Sequence, residues 1–125
     1  VTWRAEPIDI ETWPQIYALL APSLEIVGEP VSELIDLLIS HRNGLWVNRE
    51  GGDPLAAAVS EDEGDVLCIR LMGGRDMARW IGDAVNTIRL EANGKRVRVE
   101  VIPGLERVLR ERGFRKAKVI MEMTA

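Results

Sequence analysis

DVLCIRLMGGRDMARWIGDAVNTIRLEAN, residues Asp65–Asn93, reads as a buried strand, a break at Gly73-Gly74 and a long amphipathic helix. Val66–Met72 is apolar at every position except Arg70, as expected of a central strand covered on both faces. From Arg75 to Ala92 the period changes, with Met77, Ile81, Ala84, Val85 and Ile88 recurring at helical spacing and Trp80 beside them. Asn93-Gly94 supplies the stop. Where a strand ends and a helix begins, outward-pointing N–H groups at the helix N-terminus attract anions, so this seam is the natural place for a ligand. Gly73, Gly74 and Arg75 stand at it. The stretch supplies no catalytic side chain, and the catalytic residues are left unassigned.

After the helix, Lys95–Val101 alternates strictly, with Val97, Val99 and Val101 inward and Arg96, Arg98 and Glu100 outward. Pro103 opens a short helix carrying Leu105, Val108 and Leu109, and Gly113 ends it. Phe114–Met123 reads as the last strand, with Ala117, Val119, Met121 and Met123 on one face. Before the central stretch, Leu45–Asn48, the turn Arg49–Asp53 and Pro54–Ser60 form a hairpin, and the acidic turn Glu61–Asp65 leads into Val66.

Two helices precede the hairpin. Thr12-Trp13-Pro14-Gln15 has the form of a capping box, and Trp13, Ile16, Tyr17 and Leu20 follow on one face, with Pro22 expected to end or bend the helix. Pro30 opens the second, with Val31, Leu34, Ile35 and Leu38 facing the core and His41 and Arg42 in its last turn. His41 there is either a helix-end cation or an acid–base group. Trp3–Ile8 is a first strand, kept to an edge by Pro7. The predicted order is β-α-α-β-β-β-α-β-α-β, an α/β (α+β) fold with a mixed central sheet and helices on both faces, in a single domain spanning residues 1–125.

Composition agrees with a soluble globular protein: 46% hydrophobic and 29% charged residues in a chain long enough to bury a core. No apolar run reaches membrane-spanning length and no signal peptide opens the sequence. Cys68 is the only cysteine and His41 the only histidine, so neither a disulfide nor a metal site follows, and Cys68 reads as a buried inert thiol. Charge is uneven: residues 1–66 hold 13 acids and 3 bases, net −10, and residues 67–125 hold 7 acids and 13 bases, net +6. This reads either as solvated faces or as attraction to an anionic partner or a second copy. Nucleic acid is the weaker reading, because the bases alternate with acids and no aromatic stacking platform accompanies them.

The element order resembles the Gcn5-related N-acetyltransferase (GNAT) fold. The ending LERVLRERGFRKAKVIMEM, with Gly113-Phe114 and the strand to Met123, carries most of the likeness, and Asn93-Gly94 before a Lys/Arg-Val strand adds to it. Small acetyltransferase-like proteins encoded by bacteriophages and prophages are more similar still, through Trp13-Pro14, Gly73–Trp80 and Gly104–Leu109. The resemblance implies an acetyl-CoA pyrophosphate loop with the pattern Gln/Arg-x-x-Gly-x-Gly/Ala. Here Arg70–Arg75 offers a near-match in which Arg75 replaces the small residue, leaving Gly73, Gly74 and Arg75 as the cofactor-binding candidates. It also implies a Tyr four residues before the Gly of Gly-Phe, where Leu109 stands, and an Asn near Ile102-Pro103 that is missing. Glu61, Glu63 and Asp65 remain as carboxylates able to act as a base.

Two functions follow from the resemblance. One is a non-catalytic, phage-encoded viral protein acting through contacts with other protein subunits, itself or virion components, located in the host cytoplasm or in the virion or its DNA-ejection apparatus, with no cofactor. Trp3, Trp13, Trp46 and Trp80 are available as interface anchors in that case. The alternative is an acetyl-CoA-dependent N-acetyltransferase.

Overall fold

The computed structural model describes residues 2–100, 104–117 and 120–124. These form a seven-stranded sheet with Val66–Gly74 (β4) at its middle. Thr2–Ala5 (β1), Gly44–Glu50 (β2) and Asp53–Asp62 (β3) lie to one side. Arg96–Glu100 (β5), Arg115–Ala117 (β6) and Ile120–Thr124 (β7) lie to the other. The order across the sheet is β1-β2-β3-β4-β5-β7-β6. Only β4 and β5 run parallel, because the connection between them is a helical crossover rather than a hairpin.

Helices cover both faces. Trp13–Val27 (α1) and Val31–Ile39 (α2) pack on one, burying Ile16, Leu20, Leu24, Leu34 and Leu38 against Leu45, Val47, Ala57, Val59 and Leu71. Ile81–Ala92 (α3) and Leu105–Glu111 (α4) pack on the other, burying Ile81, Ala84, Val85, Ile88, Leu105 and Leu109 against Ala56, Ala58, Leu67, Ile69, Val97 and Val99. The central strand, the apolar face of the long helix and the alternation of β5 are as the sequence implies. Val101, Pro103 and Val119 fall outside the described residues.

Several boundaries differ, each for a physical reason. Gly73-Gly74 does not break the strand: both residues stay in β4, opposite Ala57 and Ala56. They are glycines because of crowding. A Cβ on Gly73 would overlap the Leu19 carbonyl of α1, and one on Gly74 would lie 2.5 Å from the Ala56 Cβ. The long helix begins at Ile81, not Arg75. Asp76 adopts a left-handed backbone (φ 52), and Met77–Arg79 forms a single 3-10 turn. The last strand is two, β6 and β7, paired antiparallel.

At the other end, β1 stops at Ala5, ahead of Pro7. The capping box is not formed, since Thr12 makes no side-chain cap and its hydroxyl donates instead to the Asp9 carbonyl. Pro22 lies inside α1. Burial of Ser23 and Leu24 beyond it carries the helix on to Gly28, whose left-handed backbone lets its N–H reach the Leu24 carbonyl at 2.8 Å. Tyr17 and Val31 face outward, while His41 and Arg42 lie past the end of α2, with His41 left-handed (φ 60).

Trp80 locks the turn between β4 and α3. Its indole N–H donates to the Arg75 carbonyl at 2.9 Å, and its own carbonyl accepts from the Trp3 indole at 3.3 Å. The two rings meet edge to face at 5.8 Å. Trp3 and Trp80 are therefore core residues, while Trp13 and Trp46 are half-buried.

Two expectations follow. Gly73→Ala should destabilise the fold by about 1–3 kcal/mol or more through overlap with the Leu19 carbonyl. Gly82→Ala, in a helix with room beside it, should be neutral or stabilising by up to about 1 kcal/mol. Urea unfolding of both variants checks the pair, and equal effects would overturn the packing argument. Likewise, Ile81→Ala and Ile88→Ala should each cost about 2–5 kcal/mol. Losses near zero for both would place the wrong face of α3 on the sheet.

Candidate functional site

One irregularity in β4 organises the site. Val59 of β3 pairs with Leu71, but the next residue, Ser60, pairs with Ile69, so Arg70 has no partner across this ladder. Such an extra residue is a β-bulge, and it shifts the inward–outward alternation by one. Leu67 and Ile69 face α3; beyond the bulge Met72 does so, and Leu71 faces α1. Among the described residues the ladder of β4 with β5 runs from Val66↔Arg96 to Ile69↔Val99. Glu100, the last residue of β5, pairs with Ile120 of β7.

The bulge sends the Arg70 guanidinium toward the α1–α2 connection. It donates to Glu29 Oε1 at 2.7 Å and to Asn43 Oδ1 at 2.6 Å, and it lies 3.8 Å from Glu61. The Glu29 side chain is 9% exposed, and its other oxygen, Oε2, is buried with no hydrogen-bond partner. Glu63 lies 3.5 Å from Arg98, and Asp62 accepts from Lys95 at 3.0 Å. Burial holds the Glu100 carboxyl above its ordinary value; Arg70 pulls it back, while Glu29, Glu61 and Glu63 push it further up. Glu29, Glu61, Glu63 and Glu100 form an acidic basin around Arg70, whereas Asp62 and Lys95 pair outside it.

Of the carboxylates proposed from sequence, Glu61 and Glu63 join this basin, and Asp65 is exposed in the turn ahead of β4. Glu29 and Glu100 were missed. Glu100 sits in the outward set of an alternating strand and looks solvated; the one signal that leads to it is Arg70, the charge in an otherwise apolar strand. Cys68 is buried, and its thiol is pushed up to about 12 by burial and by Glu100, which leaves it inert as expected. His41 is exposed, at the left-handed turn before β2. No metal-binding group of His, Cys, Asp and Glu occurs among the described residues, and none of their helices is long and apolar enough to cross a membrane.

Gly73, Gly74 and Arg75 are placed differently from a phosphate-binding loop. The glycines lie in the strand, and Arg75 gives its N–H to the Leu55 carbonyl at 3.0 Å and its guanidinium to the Pro54 carbonyl at 3.0 Å. The residues that follow bond among themselves, Arg79 N–H to the Asp76 carbonyl at 2.8 Å and Trp80 N–H to the Met77 carbonyl at 3.2 Å. An acid, Asp83, occupies the first turn of α3. Leu109 is fully buried in the core. The basin offers a proton acceptor of raised affinity at Glu100.

Comparison with solved structures identifies the architecture. The chain is similar to an aminoglycoside 6'-acetyltransferase type Ii (TM-score 0.74, 11% identity, covering 99% of this chain and 97% of that one). It is similar to an acetyltransferase from Thermus thermophilus (TM-score 0.70, 14% identity, 100% and 98% covered). A GNAT family acetyltransferase from Elizabethkingia anophelis with acetyl-CoA bound is comparable (TM-score 0.70, 12% identity, 99% and 99% covered). No family model matches the sequence, and no curated protein does. The chain has the GNAT acetyltransferase fold, and at these identities the likeness is one of fold.

The raised Glu100 carboxyl makes a pH-dependent prediction. Below its ordinary value of 4.5 the group is protonated in both folded and unfolded chains and contributes nothing. As pH rises, the unfolded chain releases its proton first, so stability falls until the folded group also ionises. Glu100→Gln should therefore be more stable than the parent at neutral pH, with the gain vanishing at about pH 4. Thermal unfolding across that range checks it; a gain that persists in acid would separate the effect from titration.

Proposed function

We propose that this chain is an acetyltransferase-like protein that works through contacts with other protein subunits and not by acetyl transfer. The observation that carries this reading is the closed turn after β4. A pyrophosphate held at a helix N-terminus needs free, convergent N–H groups. Here Arg75 spends its donors on β3, Trp80 ties the turn shut, and Asp83 places negative charge where phosphate would approach. The residues present do not fit the acetyl-CoA phosphates. Leu109, where the resemblance implies a proton-donating Tyr, supports the same reading.

Apolar exposure supports protein contacts. Ile26, Val27 and Val31 are partly uncovered around the junction of α1 and α2, and Ile39 lies at the far end of α2. Patches of this kind favour partner surfaces. The Trp13-Pro14, Gly73–Trp80 and Gly104–Leu109 motifs support placing the chain among the phage-encoded acetyltransferase-like proteins, where the partners are copies of itself or subunits of the virion or its DNA-ejection apparatus.

One observation favours a second reading, acetyl-CoA-dependent N-acetyl transfer. Glu100 lies at the end of β5 among Arg70, Glu29, Glu61 and Glu63, and its raised carboxyl suits it to take a proton from an ammonium group. Acetyl transfer to an amine depends mainly on orientation and a polarised carbonyl, so the loss of a Tyr does not abolish it.

Calorimetric titration of acetyl-CoA at near-physiological salt separates the two. The expected result is no saturable binding at about 1 mM ligand. A dissociation constant in the low micromolar range, about −8 kcal/mol, would overturn the first reading and establish the second.

A further inference from the structure

On the α3 face of the sheet, opposite the acidic basin, the packing is incomplete. A cavity of about 300 Å³ lies between the C-terminal half of α3 and strands β1 to β4. It exists because the residues meeting there are small: Ala5, Gly44, Ala58 and Ser60 from the sheet and Ala84 from the helix. It opens to solvent on one side, and an apolar cleft of this size with a few polar groups is the usual form of a small-molecule site. Its walls are apolar, with Trp3 and Trp46 as the aromatic surfaces and Ile69 and Ile88 among the aliphatic ones.

Two hydroxyl side chains line the cavity, Thr87 on α3 and Ser60 on β3. The Trp46 indole N–H donates to Ser60 Oγ at 3.0 Å. A hydroxyl that accepts in this way keeps its own proton to donate. Gly44 protects the arrangement: its backbone needs no glycine, but a Cβ there would crowd Ser60 Oγ at 3.1 Å and the Trp46 indole nitrogen at 3.4 Å. At the rim, Arg42 and His41 stand with Asp62 and Glu91, and Asp62 is bonded to Lys95 from outside the lining. Basic and acidic groups are mixed there, so the mouth presents no field of a single sign.

We infer that this cavity is a binding site for a small uncharged aromatic molecule carrying one hydrogen-bond acceptor, its ring beside Trp46 and its acceptor on the Ser60 hydroxyl. An ionic ligand would leave water for walls that cannot solvate it, and a ligand without an acceptor would leave the Ser60 proton unused. The site is independent of the acetyl-CoA question, since it lies on the other face of the sheet from the basin.

The test uses acetophenone as probe, with ethylbenzene, benzoate and benzylamine as controls, followed by NMR through the indole N–H signals of Trp46 and Trp3. Acetophenone should shift the Trp46 signal saturably with a dissociation constant of about 1 mM or tighter. Ethylbenzene should bind about fivefold more weakly and the two ions at least about tenfold more weakly. Ala58→Leu should abolish binding, and Ser60→Ala should erase the preference for acetophenone over ethylbenzene while both still bind. If Ala58→Leu does not fold, Ala84→Leu fills the opposite wall and serves in its place. No saturable shift at about 10 mM, tighter binding of either ion, or binding that survives in a folded filled variant would each overturn the assignment.

Discussion

The single unpaired residue in β4 is the constraint on which the functional face depends. A strand buried on both sides has no room for a guanidinium within its regular alternation. The bulge resolves this by giving Arg70 a position that belongs to neither face of the ladder. From there it reaches Glu29, Asn43 and Glu61, tying the α1–α2 connection and the ends of two strands to the middle of the sheet. The close approach of α1 relies on the glycines that follow, since only at Gly73 can the Leu19 carbonyl come down onto the strand. Charge placement and helix docking thus share one nine-residue strand.

What could be read from sequence divides along physical lines. Periodicity reports burial, and wherever burial follows a regular period the reading agrees with the structure, as in the apolar run of Val66–Met72, the Ile81, Ala84, Val85 and Ile88 face, and Val97 and Val99 in β5. It is silent where a period slips. The bulge is visible only as a charged residue in the wrong place, and Glu100 becomes interesting only once the bulge is known. Local signals were also overruled by tertiary contacts. Gly73-Gly74 reads as punctuation but serves close packing, and Pro22 reads as a stop but is carried through by the burial beyond it. His41 reads as part of a helix, yet its backbone has already turned left-handed. The candidate site was therefore legible at its edges, Glu61, Glu63 and Arg70, and not at Glu29 or Glu100.

The uneven charge of the two halves also finds its explanation inside the molecule. Arg70 meets Glu29 and Glu61, Arg79 meets Glu50, Lys95 meets Asp62, and Arg98 meets Glu63. In each pair the base comes from residues 67–125 and the acid from residues 1–66. The Arg79, Lys95 and Arg98 pairs are more exposed than Arg70–Glu29 and contribute little individually, and the pattern accounts for part of the imbalance without an anionic partner.

That division has a consequence for how the chain is made. During synthesis the segment with 13 acids and 3 bases leaves the ribosome before any of the bases that will neutralise it. Its strands are then a self-repelling, incomplete sheet whose central member is missing. Self-repulsion of this kind opposes compaction of the acidic fragment, Arg70, Arg79, Lys95 and Arg98 offset it once they are made, and salt weakens it by screening the charges.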